Sequence, residues 1–329
     1  MDIFAEITPR TKSDSGQDLW VFGKRPLLAL LIILTPFLKG CQETQQPSSS
    51  NYPKILCTTQ MIAEPVRKLL PPEFQVEHLM GSGVDPHLYK PTPEDLRKIL
   101  RADLVLYHGH HLEGRMSDML SQLEASSPGT KVVAICEKIP QEQLIIDPSG
   151  VIDPHLWLDV TLWKDVCAQL KMTLAKHGDL SPVELEARYN TLIQELDQLH
   201  QAVLTALKPI PLERRVLVTA HDAFAYFGKQ YGLEVYGIQG ISTESEPSLM
   251  RVNQLVKLLS ERKIPSIFVE STVPERNVRA LQEGCAKLGH RLQIGGKLYS
   301  DAPGPSGSGA GSWSKMVIHN AQTIAAGLQ

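Results

Sequence analysis

The chain has 329 residues, of which 42% are apolar and 21% charged, and its formal net charge is −3. This composition is typical of a globular protein with enough apolar side chains for a large core. It contains no basic run and no alternation of aromatic and basic residues, so a nucleic-acid partner is excluded.

The N-terminal segment has the pattern of an export signal. Lys24 and Arg25 precede the apolar stretch Pro26–Leu38, whose 13 residues are too few to span a bilayer but suit a signal-peptide core. The sequence Leu-Lys-Gly-Cys that ends at Cys41 is similar to a bacterial lipoprotein cleavage box. We therefore expect a signal peptide over residues 1–40, a lipid on Cys41 and a flexible tether over residues 41–53. An uncleaved membrane anchor is the alternative.

The four later cysteines show no Cys-x-x-Cys spacing, and each lies in an apolar or helical pattern. We expect them to be small buried apolar side chains rather than thiolate metal ligands, with one disulfide as the alternative. They are Cys57, Cys136, Cys167 and Cys285.

From residue 54 onward, apolar runs alternate with helical periodicity, which favours an α/β fold with parallel sheets. A helix start is predicted at Thr92, where a capping hydroxyl is followed by proline and two acids. Six runs are predicted strands: Ile55–Thr59, Asp103–Tyr107, Lys131–Ile135, Arg215–Thr219, Glu234–Ile238 and Ser266–Glu270.

One long helix divides this alternation into two parts. Ser181 and Glu184 have the spacing of a capping box, and apolar residues then recur every three or four positions until Pro209. We predict two α/β lobes, each with a parallel sheet flanked by helices. The boundaries are residues 54–180 for the N-terminal lobe, 181–208 for the linking helix and 209–329 for the C-terminal lobe, with a cleft between the lobes.

The tetrapeptide Asp-Pro-His-Leu occurs twice, at Asp85–Leu88 and at Asp153–Leu156. Proline fixes its own φ and restricts the residue before it, so His87 and His155 each follow a stiff backbone that suits a metal ligand. The Asp two residues earlier is placed to accept the ring N–H that a metal would not use. The alternative is two ordinary turn histidines.

Two further candidates lie where the predicted fold would place a ligand. In open parallel sheets, ligands bind beyond the carboxyl ends of the strands. The predicted strand Arg215–Thr219 leads directly to His221, and Asp301 lies in a loop before a stretch rich in Gly, Ser and Pro. Glu270 ends another strand, either as a residue that orients a ligand or as part of a buried ion pair. His108, His110 and His111 follow a strand and are candidates to relay or weakly hold a metal.

In this order, five segments resemble the metal-binding receptors of bacterial ABC importers for zinc, manganese or iron, known as cluster A-I or cluster 9. The segments are Gly83–Asp95, Asp153–Asp159, Thr219–Phe227, Val269–Thr272 and Leu298–Asp301. The resemblance implies a metal site in the interlobe cleft with His87, His155, His221 and Asp301 as ligands. It also implies an extracytoplasmic, lipid-anchored protein that delivers metal to a membrane permease with a cytoplasmic ATPase. We expect a monomer.

Three imidazoles and a carboxylate form a closed set of four ligands, which favours binding over catalysis because zinc enzymes keep a position open for water. We therefore expect no enzymatic activity; a zinc-dependent hydrolase and a surface adhesin lipoprotein are the alternatives. Histidine favours Zn²⁺, while the carboxylate leaves Mn²⁺ and Fe²⁺ open.

Overall fold

The computed structural model describes residues 52–126, 131–177 and 180–329. The predicted signal peptide, the proposed lipid site at Cys41 and most of the predicted tether lie outside the described residues. The strands are β1 Lys54–Thr59, β2 Gln75–Met80, β3 Leu104–Tyr107, β4 Lys131–Ala134, β5 Val216–Thr219, β6 Glu234–Gly237, β7 Ser266–Glu270 and β8 Gln293–Leu298. The α-helices are α1 Gln60–Leu69, α2 Pro93–Arg101, α3 Ser117–Ser126, α4 Val160–His177, α5 Pro182–Leu207, α6 Ala225–Tyr231, α7 Leu249–Glu261, α8 Arg276–Lys287 and α9 Trp313–Leu328. Short 3₁₀ turns occupy Gly114–Met116, Cys136–Lys138, Gln141–Gln143, Leu156–Leu158 and Leu212–Arg214.

The N-terminal half contains a four-stranded parallel sheet in the order β2-β1-β3-β4. The central strands are buried on both faces: in β1 every residue after Lys54 is buried, and all four residues of β3 are buried. Strands covered on both faces read as continuous apolar runs, which is why the sequence predicted both of them. The edge strand β2 was missed because its sequence, Gln-Val-Glu-His-Leu-Met, mixes polar and half-buried residues.

The C-terminal half contains two parallel pairs, β5-β6 and β7-β8, with β5 beside β7. The predicted parallel strands flanked by helices are confirmed in this half, where they form two ladders rather than one continuous sheet. The β7-β8 ladder has a register shift between Ile267 and Phe268, opposite the glycine pair Gly295 and Gly296. Because glycine weakens a strand pattern, these two glycines are the reason that β8 was not among the predicted strands.

Helix α5 is the predicted long helix, and it packs against α1, α4 and α9. Its buried positions follow the predicted stripe and include Leu192, Leu196 and Val203. Ser181 is its N-cap residue, but the serine side chain makes no capping hydrogen bond, so the capping-box prediction is wrong there. At α2 the predicted cap is confirmed, because Thr92 and Asp95 form a reciprocal capping box. The division into lobes at residues 180 and 209 stays a prediction.

The cysteine prediction is confirmed for the residues that the structure describes: Cys57, Cys136, Cys167 and Cys285 are all buried and have free thiols. Across the same residues, no helix combines the length and the apolar character that crossing a membrane requires.

Candidate metal centre

The four predicted ligand residues converge on one buried point. One potential ligand atom from each of them lies within 4.8 Å of every other. His87 is in the loop after β2, His221 follows β5, and Asp301 follows β8. His155 comes directly before the 3₁₀ turn Leu156–Leu158. The parallel strands therefore direct three of the four side chains to one place from their carboxyl ends, as expected of such sheets.

The spacing of the donor atoms suits one small cation. The Nε2 atom of His155 lies 3.3 Å from Nε2 of His87 and 3.4 Å from Nε2 of His221. Asp301 Oδ1 is 3.4 Å from Nε2 of both His155 and His221. Donors placed 2.0–2.1 Å from a tetrahedral zinc ion are themselves about 3.3 Å apart, so these four separations suit donors that share one such ion.

The two Asp-Pro-His-Leu copies hold their histidines differently. Asp153 Oδ1 accepts the backbone N–H of His155 at 2.9 Å and contacts its ring Nδ1 at 2.7 Å. This contact fixes the ring and leaves Nε2 facing the other ligands, as predicted. Asp85 Oδ1 accepts the backbone N–H of His87 at 2.9 Å. Among the described contacts, the Asp85 carboxylate does not reach the His87 ring. Asp85 therefore supports the main chain rather than the imidazole.

Glu270 contacts His221 at both its backbone and its ring. Its Oε1 atom accepts the His221 backbone N–H at 2.9 Å, and its Oε2 atom lies 2.6 Å from the ring Nδ1. Both side chains are fully enclosed. The Thr219 hydroxyl donates to the His221 carbonyl at 2.7 Å and completes the turn after β5. These contacts support the interpretation that Glu270 orients a ligand.

The two oxygens of Asp301 have different neighbours. Thr272 Oγ1 donates to Oδ2 at 3.2 Å, whereas Oδ1 is buried and, among the described residues, has the Nε2 atoms of His155 and His221 as its polar neighbours, each 3.4 Å away. The loop before it is held by Trp157, whose indole N–H donates to the Ser300 carbonyl at 2.8 Å. A buried carboxylate is costly unless a positive charge compensates it. The donor set therefore fits a metal ion.

The electrostatics of the four groups are strongly coupled. Burial lowers the pKa of His87 to about 3, with only partial opposition from Asp301. Burial also acts to lower the pKa of His155, but the Asp153 and Asp301 carboxylates outweigh it and raise that pKa to about 9. The pKa of His221 is likewise raised, against burial, by Asp301 and Glu270. Burial opposes ionisation of Asp301, yet His221 and His155 hold its pKa well below the usual range.

The three histidines after β3 lie outside the group of four. His108 is buried, and its Nε2 atom is 2.7 Å from the carbonyl oxygen of Pro154, the residue before His155. His110 Nε2 is 3.1 Å from the Cys136 carbonyl oxygen, and His111 is exposed. His108 thus supports the backbone that carries a candidate ligand, and the predicted relay or weak metal binding by this cluster has no geometric support.

Gly114 allows the loop after β3 to pack closely against the backbone of His87. Gly114 has φ +48, and a Cβ atom added there would lie 2.1 Å from the carbonyl oxygen of His87. The carboxylate of Glu113 holds the loop, because Oε1 accepts the His108 backbone N–H at 2.6 Å and the Thr58 hydroxyl at 2.7 Å. The segment from His108 to Gly114 therefore touches the backbone at or beside His87 and His155, the two candidate ligands of the N-terminal half.

Two polar side chains outside the group of four have structural roles. Asp159 caps the start of α4, since its Oδ1 accepts the backbone N–H groups of Thr161 and Leu162. His290 is buried, with Nε2 2.7 Å from the Ile264 carbonyl oxygen in the loop before β7.

Some supporting residues were missed. Thr272 and Trp157 lie inside segments singled out from the sequence, yet a hydroxyl and an indole there gave no sign of which loop they would hold. Tyr226 is similar: its hydroxyl donates to the Asp153 carbonyl at 3.0 Å across 73 residues. Such contacts depend on tertiary packing rather than on local pattern.

Comparison with known proteins gives a consistent result. Residues 55–327 match the family model described as ZnuA, zinc-uptake complex component A, periplasmic. The zinc-binding protein TroA of Treponema pallidum is 41% identical over 285 residues, which cover 87% of this chain and 92% of TroA. A solved structure of that periplasmic zinc-binding protein superposes with a TM-score of 0.78 and 43% identity, covering 84% of this chain and 99% of the other.

Two lipoproteins are also similar. The manganese-binding lipoprotein MntA of Bacillus subtilis is 38% identical over 314 residues, covering 93% of this chain and all of MntA. The manganese ABC transporter substrate-binding lipoprotein PsaA of Streptococcus pneumoniae is 28% identical over 321 residues, covering 92% of this chain and 97% of PsaA.

Proposed function

The chain belongs to the ZnuA family of periplasmic zinc-uptake components, and on that premise we propose that it is the substrate-binding protein of an ABC importer. It captures a divalent transition metal outside the cytoplasmic membrane and delivers the metal to a permease powered by an ATPase subunit. Zn²⁺ and Mn²⁺ are the cargo candidates, since relatives are described as binding one or the other, and Fe²⁺ is a third.

The observation that carries this proposal is the cluster of four buried donor atoms, three imidazole nitrogens and one carboxylate oxygen. His87, His155, His221 and Asp301 offer three nitrogens and one oxygen within 4.8 Å of one another, all buried. We propose that these four residues are the metal ligands. A neutral imidazole set favours Zn²⁺, and the carboxylate admits Mn²⁺.

Location and partners follow from the relatives. Those described as periplasmic proteins or lipoproteins support an extracytoplasmic position. We propose that Cys41 carries a lipid that anchors the protein at the outer face of the cytoplasmic membrane, and that the protein acts as a monomer. Mass spectrometry of the membrane-extracted protein tests the lipid.

A hydrolytic role is less well supported. Catalytic zinc sites bind the metal through three protein ligands and leave the fourth position to water, whereas four protein donors converge in this site. The family consists of transport components, so we expect no turnover. Hydrolysis of a broad substrate panel by the zinc-loaded protein would contradict this expectation.

Metal analysis tests the proposed function directly. Protein purified without added metal and then stripped with a chelator is titrated with Zn²⁺ and Mn²⁺ by calorimetry, alone and in competition. We expect one ion per chain and a clear order of affinity between the two metals. Absence of stoichiometric binding of either metal would refute the proposal.

Metal affinity should fall as the pH falls. Ligand nitrogens must lose their protons before they bind a metal. Because the pKa of His155 is raised to about 9 and that of His221 is also raised, both hold protons in the metal-free protein at neutral pH. His87, with its pKa lowered to about 3, contributes no such proton. We expect calorimetry between pH 7.5 and 5.5 to show Kd rising at least about tenfold per pH unit; a constant Kd would contradict this.

A further inference from the structure

A loop of the C-terminal half reaches over to the segment that carries His87. Residues 238–248 connect β6 to α7. Within this loop the Thr243 hydroxyl donates to Asp85 Oδ2 at 2.7 Å, a contact between residues 158 positions apart. The other oxygen of the same carboxylate accepts the His87 backbone N–H. Asp85 therefore joins the loop on one side to a proposed metal ligand on the other.

Hydrogen bonds within the loop hold its residues together. Gln239 donates its side-chain N–H to the Ser245 carbonyl at 2.9 Å, and the Glu244 backbone N–H donates to the Ser242 hydroxyl at 3.3 Å. Both hydrogen bonds stay inside the loop. Glu246 pairs with Arg276 of α8, which belongs to the same half. The Thr243 hydroxyl is thus the loop's side-chain hydrogen bond to the opposite half within the described structure.

A crevice of about 110 Å³ lies at this junction. Asp85 and Leu88 line it from the N-terminal half, and Gln239, Thr243 and Thr272 line it from the C-terminal half. Asp85 holds the backbone of His87, and Thr272 holds Asp301, so the crevice is bounded by the immediate supports of two proposed ligands. Those ligands are themselves only 2% exposed, so an ion needs an opening to reach them.

His87, the proposed ligand on the crevice side, is also the one of the three histidines whose ring is least restrained by carboxylates. A carboxylate oxygen lies within 2.7 Å of Nδ1 in both His155 and His221. Within the described ranges, the ring of His87 has no such carboxylate. Separation of the loop from Asp85 would therefore remove one restraint on the His87 segment while the other two rings keep their carboxylate contacts.

We propose that this crevice is the route by which the metal ion reaches and leaves the four-ligand site, and that the Thr243–Asp85 hydrogen bond is the gate that closes it. The inference rests on the proposed function, because it assigns a path to the metal that the site would bind. Under this proposal, Thr243 controls the rate of metal exchange without contacting the ion.

Stopped-flow kinetics test the gate. Association of Zn²⁺ with the metal-free protein and its removal by a fluorescent chelator are measured for the wild type and for Thr243→Val, which keeps the shape of the side chain and removes the hydroxyl. Loss of one hydrogen bond to a carboxylate should accelerate both steps about tenfold. Since opening precedes both binding and release, Kd should stay within about threefold of the wild-type value.

Two further variants make the result specific. Thr243→Ser retains the hydroxyl and should restore wild-type rates. Thr205→Val removes a hydroxyl on α5 that donates to the Gln201 carbonyl within the same helix, and it should change neither rate.

The possible results separate the gate from other roles. Unchanged rates in Thr243→Val would overturn the gate, and so would faster release without faster association, which would mean that Thr243 only supports the ligand geometry. A wild-type protein that binds no Zn²⁺ or Mn²⁺ would instead overturn the proposed function, and the gate with it.

Discussion

Replacing His221 by alanine should lower the affinity for Zn²⁺ by at least about a hundredfold. Loss of an outer partner of a metal ligand already lowers affinity about 10- to 100-fold, and His221 is a proposed ligand itself. The substitution removes a nitrogen 3.4 Å from both His155 Nε2 and Asp301 Oδ1. It also takes from Asp301 a cationic neighbour that holds its pKa low. Calorimetry and elemental analysis of the purified variant measure the loss.

His177→Ala is the matched control for this experiment. His177 ends α4 and lies outside the group of four, so its removal should leave metal affinity within about twofold of the wild type. Wild-type metal content and affinity in His221→Ala would remove His221 from the ligand set and, with it, the proposed four-coordinate shell.

Replacing Gly114 by alanine should lower both the stability and the metal affinity. A Cβ atom at this position would lie 2.1 Å from the carbonyl oxygen of His87, so one of the two backbones must shift. The left-handed φ of +48 adds strain for any residue with a side chain. We expect the free energy of unfolding of the metal-free protein to fall by about 3 kcal/mol. Movement of His87 should weaken Zn²⁺ binding about tenfold or more.

Gly83→Ala separates the two effects. Gly83 also has a left-handed backbone, with φ +73, but a Cβ atom there would meet no heavy atom within 4 Å. It should lower the free energy of unfolding by only about 1 kcal/mol, measured by urea denaturation with chelator present, and leave Kd unchanged. Equal behaviour of the two variants would show that close packing on His87 is not what Gly114 provides.

Local patterns in the sequence singled out the histidine candidates, and the family resemblance supplied the full set of four. His221 comes directly after the strand β5, and His155 lies in a proline-stiffened tetrapeptide. Strand ends on a parallel sheet converge for topological reasons, so a correct strand prediction already indicates where the side chains meet. The long helix α5 was equally accessible through its periodic apolar stripe.

The contacts that support the ligand candidates could not be predicted from local sequence patterns. The two Asp-Pro-His-Leu copies are identical in sequence, yet Asp153 contacts an imidazole while Asp85 contacts a backbone and a distant threonine. The difference arises from what packs against each loop. Strand β8 was missed for a related reason: its glycine pair has little β propensity, and it is a strand because β7 pairs with it.

The Thr272 hydroxyl bears on metal selectivity. Under the proposed ligation, Asp301 offers Oδ1 to the ion while Oδ2 is engaged by Thr272 at 3.2 Å. An ion that requires more than four donors, as octahedral Mn²⁺ does, would also take Oδ2 in a chelating mode and would share that oxygen with the hydroxyl. An ion that binds only one carboxylate oxygen leaves the hydrogen bond between Thr272 and Asp301 intact. The hydroxyl therefore occupies one lone pair of the oxygen that a chelated ion would need, and a substitution at residue 272 tests the preference between the two metals without altering any ligand.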